Sequence, residues 1–190
     1  MAERGTILLL VLLGVSLIAA PSSAEIVSNS MVIDDIEYYM QTDDSVYNLG
    51  EDVEALFRVT NLGNETLSIG TSYPIIDIIV SEKEGEVFNE IWNWSWDQIY
   101  PHGPFLFELE PDESVELNGI WPQINLHGSV EPEDHTQVQT GIYRVSGYLA
   151  PTDTSVDVDI TIVPEPATLL LLGLGAIRLR SRQAVVLRKR

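Results

Sequence analysis

The side chains with chemistry to offer in this 190-residue chain are its acids, three histidines and four tryptophans; it has no cysteine. Without a thiol there is no cysteine nucleophile, thiolate metal site or disulfide. His102, His127 and His135 stand 25 and 8 residues apart. That is neither the i, i+4 pair of a zinc-binding helix nor a cluster. No G-x-S-x-G elbow exposes a serine, and no glycine-rich loop follows a strand to cradle phosphate. We therefore expect no enzyme. Carboxylates are so abundant that a glycosidase-like pair follows from number alone, which gives it no force without geometry. Asp34-Asp35, Asp43-Asp44, the stretch Glu131 to Asp134 and Asp153 offer hard oxygen ligands to calcium on turns. No EF-hand or RTX-type repeat organises them, and no other cofactor is expected.

Trp92, Trp94 and Trp96 are spaced by two, so on a strand they share one face. Such a face is either core or a platform that stacks a sugar or docks a protein. A domain without disulfides needs its large aromatics to bury area, so core is the favoured reading and the platform the second. A further candidate binding region is the acidic, irregular stretch from Pro122 to Thr140, with Glu131, Glu133 and Asp134 near its middle. A loop that long in a compact domain is usually functional or mobile.

The elements that must position these groups read as strands separated by turns. Val53, Ala55, Phe57 and Val59 alternate with Glu54, Leu56, Arg58 and Thr60, the period of a half-buried strand. Asn61-Leu62-Gly63-Asn64 closes it as a turn. Val32 to Met40 is expected to be one strand, although its phase slips near Asp34. Thr66 to Gly70 is a short strand, and Ile75 to Val80 is an apolar strand covered on both faces. The turn Glu82 to Glu86 returns the chain as a hairpin into Val87 to Trp96. Phe105 to Leu109 and Val115 to Leu117, around Pro111-Asp112-Glu113-Ser114, predict a second hairpin. Trp121 belongs at a sheet edge or across one end of the core. Gly141 to Leu149 is the penultimate strand, with Tyr143 as a corner tyrosine, and Val156, Val158, Ile160 and Ile162 mark the last. Seven to nine strands with no convincing helix between Glu25 and Val163 predict an all-β, immunoglobulin-like antiparallel sandwich.

Both ends of the chain address it outward. Met1 to Ala24 reads as a signal peptide: Arg4 is the basic region, Ile7 to Ala20 the apolar helix core, and Pro21-Ser22-Ser23-Ala24 a small-residue site cleaved after Ala24. At the other end Val163-Pro164-Glu165-Pro166 is followed by the apolar segment Ala167 to Ile177, then by Arg178, Arg180 and Arg182. The segment is well below the ~20 residues of a membrane-spanning helix. The chain thus divides into a signal peptide (1–24), one domain (25–163) and a tail (164–190). The domain holds 27 acidic residues against Arg58, Lys83 and Arg144, a net charge of −24. It repels nucleic acid and anionic membranes.

The box, apolar segment and basic end, in that order, resemble the PEP-CTERM sorting signal. The resemblance implies an exosortase-like processing enzyme as partner, transient membrane association through the tail, and delivery to the cell surface or extracellular matrix. Within the domain, Tyr47-Asn48-Leu49-Gly50, Phe57-Arg58-Val59-Thr60-Asn61, Trp94-Ser95-Trp96-Asp97, Glu108 to Ser114, Trp121 and Gly141 to Leu149 are together similar to the BsuPI family, named for an intracellular proteinase inhibitor. That resemblance implies serine-protease inhibition without assigning it to residues. The leading expectation is an exported, non-catalytic module that binds a protein or a polysaccharide; the alternative is an exported inhibitor of subtilisin-like proteases.

Overall fold

The computed structural model describes residues 25–165 apart from 72, 101, 102, 104 and 127–134. The signal peptide with its Ala24 site, His102, His127, Glu131, Glu133, Asp134, Pro166, Arg178, Arg180 and Arg182 lie outside the described residues.

The chain begins with a hairpin of β1 (Val27–Ile33) and β2 (Ile36–Thr42), in register from Val27↔Thr42 to Ile33↔Ile36. The single strand expected over Val32 to Met40 is therefore two. Asp34 and Asp35 both adopt positive φ, 51° and 61°, and form the two-residue turn between them. Their short polar side chains tolerate the left-handed region that a β-branched residue resists. After β3 (Val46–Asn48) comes β4 (Val53–Asn61), which buries Val53, Ala55, Phe57 and Val59 as its alternation predicts.

β5 (Leu67–Thr71) leads to β6 (Ile76–Glu84) and its hairpin partner β7 (Val87–Asn93). The chain then forms a 3-10 turn over Trp94–Asp97 and enters β8 (Phe105–Leu109) and β9 (Ser114–Trp121). The second hairpin expected here does not form. β8 pairs with β5, and β9 pairs with β4, so the Pro111 to Glu113 turn carries the chain from a ribbon into a sheet. Asn61 joins the two: its Nδ2 donates to the Glu65 and Leu109 carbonyls at 2.9 Å each. Two short strands, β10 (Ile124–Asn125) and β11 (Thr136–Gln137), pair with each other. β12 (Gly141–Leu149) and β13 (Thr154–Val163) complete the fold.

Two sheets face each other, ordered β1-β2-β4-β9 and β3-β13-β12-β6-β7. The result is an all-β sandwich. Its pairings are antiparallel except β3 on β13, where the chain crosses from one sheet to the other. The inner faces contribute Tyr38, Met40, Phe57, Val59, Ile78, Val80, Tyr143, Val145, Leu149, Val158 and Ile160 to one core. Tyr143 makes the corner expected of it, its hydroxyl donating to the Gln139 carbonyl at 2.7 Å. Trp121 stands on an edge strand, almost fully buried, with its ring 5.3 Å from that of Tyr143 and its Nε1 donating to the Ile124 carbonyl.

Candidate functional site

Only Trp92 of the three spaced tryptophans lies on a strand. It is 5% exposed, and β7 ends one residue later. Trp94 and Trp96 belong to the 3-10 turn and are half-buried against the core, so the expected single-face stripe does not exist. The cause is local. Asn93 caps the turn, its Oδ1 accepting from the Ser95 backbone N–H at 2.9 Å and from the Ser95 hydroxyl at 2.6 Å. An Asn-x-Ser run competes with the ladder for its own backbone donors.

Beneath this turn lies Asp77, 3% exposed. Its carboxylate accepts from the backbone N–H of Ile78 at 2.9 Å and of Ser95 at 3.1 Å. Burial pushes its pKa above the ordinary carboxylate value, the hydrogen bonds from Ser95 and Ile78 oppose the shift, and Glu90 adds to it. Asp77 thus ties β6 to the tryptophan turn.

The turn continues into an exposed apolar tip. Gln98 is extended, with φ −103° and ψ 143°, and Ile99 is 99% exposed. Tyr100 stacks on Tyr73, with ring centroids 5.3 Å apart and planes 16° apart. This stack joins the chain leaving β5 to the chain entering β8. Leu106, 57% exposed, stands opposite Gly70 at the same end of the β5–β8 ribbon. Burial raises the Tyr100 phenol pKa, and the charge on Asp77 raises it further. The tip thus presents the exposed Tyr73, Ile99 and Leu106 beside a half-buried Tyr100 whose hydroxyl is buried, a surface suited to packing and stacking.

Sequence reasoning missed this site. Tyr73 is far in the chain from Ile99, Tyr100 and Leu106, and only the β5–β8 register brings it to them. The available signal was Ile99 itself, an apolar residue in a loop, with Tyr73 and Tyr100 each beside a proline.

Three acids of the calcium reading, Asp43, Asp44 and Asp153, are hydrogen-bonded locally at turns. Asp43 Oδ1 accepts from the Tyr47 hydroxyl at 2.6 Å and from the Glu54 N–H at 3.0 Å. Asp44 Oδ1 accepts from the Ser45 and Val46 N–H groups, and Asp153, itself at φ 50°, accepts from the Tyr148 hydroxyl. Among the described residues no group of three or more His, Asp or Glu converges to hold a metal.

At the opposite end of β13 the chain runs straight into the proline-glutamate box. Residues 163–183 match the family described as the PEP-CTERM protein-sorting motif. The motif marks the chain as an exported protein sorted to the cell envelope and implies an exosortase-like processing enzyme. No curated protein matches the chain in sequence. Among solved structures, a β-glucosidase from Listeria innocua is similar over 76% of this chain and 17% of its own, with 11% identity and a TM-score of 0.39. A β-glucosidase from Erythrobacter marinus is similar over 73% and 15%, with 11% identity and a TM-score of 0.41. The DNA glycosylase AlkC from Pseudomonas fluorescens is similar over 74% and 31%, with 10% identity and a TM-score of 0.39. The chain thus spans a minor part of each of these proteins, and their activities are not carried over to it.

Proposed function

We propose that this chain is an exported, non-catalytic module of the cell surface or extracellular matrix that binds a protein or glycan partner through the tip of the β5–β8 ribbon. The observation that carries the reading is Ile99, 99% exposed beside the stacked Tyr73–Tyr100 pair. Exposed apolar and aromatic groups gathered at one end of a soluble domain mark a contact surface, and rigid tyrosines lose little entropy on binding. With Trp92 buried and Trp94 and Trp96 half-buried, the stacking platform, the second reading of those tryptophans, passes to this tyrosine pair.

The test is retention of the exported chain in the host's matrix. Ile99→Asp combined with Tyr73→Ala should release most of it to the medium while leaving the melting temperature unchanged. Digesting the matrix with protease or with glycosidases before binding then separates a protein partner from a polysaccharide. Unaltered retention of the double variant would sink the reading.

The same loop supports a second reading, an exported inhibitor of subtilisin-like serine proteases, which the BsuPI resemblance implies. The extended backbone at Gln98 and the projecting Ile99 suit a loop that lies along a protease cleft in β-fashion. An inhibitor of this kind blocks subtilisin-like activity and survives incubation uncut. A purified domain without that effect removes the reading for the proteases tried.

A further inference from the structure

The sorting box begins without a spacer. β13 stays paired to its final residue, Val163, which stands in register with Asn48 of β3, and the Leu49 N–H donates to the Val163 carbonyl at 2.9 Å. The next two residues, half-buried Pro164 and exposed Glu165, line a cleft of about 320 Å³ together with Leu49, Gly50 and Gln137.

The wall of that cleft is built around the fully buried Gln123. Its Nε2 donates to the Asn48 carbonyl at 2.9 Å and its Oε1 accepts from the Gly50 N–H at 2.7 Å. Its own carbonyl accepts from Gln137 Nε2 at 2.8 Å and from the Val138 N–H at 3.0 Å. Gly50 takes φ 88°, a conformation that excludes most side chains and leaves its flank of the cleft open. Gln123 thus links the β3–β4 turn through its side chain to the β10–β11 segment through its main-chain carbonyl, beside the exit of β13.

We propose that this pole of the sandwich is a docking surface for the enzyme that processes the sorting signal, so that the folded domain is read together with the box. The proposal rests on the sorting motif being used, and it commits to that enzyme because the cleft and the box are one surface. Anything that covers Pro164 and Glu165 covers Leu49 and Gln137 as well. At ~3.4 Å per extended residue, the chain from Val163 to Ala167 reaches only about 14 Å. An enzyme that grips the box at the membrane therefore meets the pole of the sandwich. The surface asks of that enzyme an apolar lip for Leu49 and Pro164, a cation or N–H donor for Glu165, and a hydrogen-bonding group for Gln137.

The test uses full-length chains expressed in the native host, with the fraction cut at the tail read by intact-mass spectrometry of the envelope. An eight-residue Gly/Ser insertion between Val163 and Pro164 keeps every ladder pairing and the whole box but moves the box off the pole. Its processed fraction should fall about tenfold, the loss expected when one modest contact surface no longer contributes to binding. Leu49→Ala with Gln137→Ala should also lower processing, with a melting temperature close to wild type. If that variant fails to fold, the spacer variant still decides. A spacer variant processed as fully as wild type, or more so, overturns the proposal. Pro164→Ala with Pro166→Ala serves as the control. Wild type left uncut alongside that control would overturn use of the sorting motif itself, whereas cut wild type, uncut control and well-cut spacer variant would overturn only the role of the cleft.

Discussion

Asp77 sits in an environment that disfavours its charge, a carboxyl almost fully buried with two backbone N–H donors and no cation among its partners. In the unfolded chain it ionises near pH 4. In the fold, burial raises its pKa, so between those two values the native state binds a proton that the unfolded state has released. Stability therefore falls as pH rises through that window, and the penalty is complete above the folded pKa. Asp77→Asn keeps an acceptor oxygen for both N–H groups and removes the titration. Urea unfolding should show the variant matching wild type near pH 4 and gaining on it as pH rises toward 8. A difference that stays flat across that range would show that Asp77 is not the group responsible. Gly147 carries a second constraint at this scale. It sits on the inner face of β12 beneath Phe57 of the opposite sheet, where an added Cβ would overlap the phenyl ring. Gly147→Ala should cost about 2 kcal/mol as the two sheets are forced to adjust, read as a lower urea midpoint.

Among the elements, the first hairpin holds a correctable strain. Asp34 and Asp35 both occupy the left-handed region, which costs an ordinary L-residue about 1–2 kcal/mol and which Asn-Gly fills with least strain. Asp34→Asn with Asp35→Gly should raise stability by about 1 kcal/mol, and the Leu62 N–H keeps its bond to the carbonyl of residue 35. No gain in melting temperature would mean that the turn is already relaxed. This hairpin also marks where the sequence stops being legible. β4, β12 and β13 could be read directly, because each buries every second residue against a single core. Asp-Asp was not read as a turn because acids fit a strand's solvent face equally well. The misassigned partner of β8 has a different cause. Alternation reports which face of a strand is buried but not which strand lies beside it, and β5 is more than thirty residues from β8. At the tryptophans, period two suited a strand, and the capping side chain of Asn93 overrode it. The tip was invisible for the same reason as the β8 pairing, since Tyr73 and Tyr100 meet only once β5 and β8 are in register.

Over the whole molecule, electrostatics opposes the fold. The domain from Glu25 to Val163 carries 27 acids and three bases. Each base is already engaged. Arg58 lies 3.8 Å from Glu37 and 3.9 Å from Glu116 and stands over the Tyr39 ring. Arg144 pairs with Asp157 and Asp159 against Phe88, and Lys83 stands over the same Phe88 ring. Partly exposed pairs of this kind contribute about 0–1 kcal/mol each. The remaining acids repel one another throughout the sandwich, and no disulfide limits the expansion that would relieve them. Two effects of salt then compete. Screening weakens a few favourable pairs, and it weakens many unfavourable ones. With so large an excess of negative charge the second effect is the greater. Raising sodium chloride from about 10 mM to about 150 mM shortens the screening length from about 30 Å to about 8 Å, so the melting temperature should climb steeply over that interval and level off beyond it. A melting temperature that is flat or falls over the same interval would mean that the ion pairs of Arg58 and Arg144 outweigh the net charge. A rise that continues unabated into molar salt would instead be the mark of apolar burial strengthened by solute exclusion. The plateau therefore identifies self-repulsion, and it should be present in the isolated domain and in the exported chain alike.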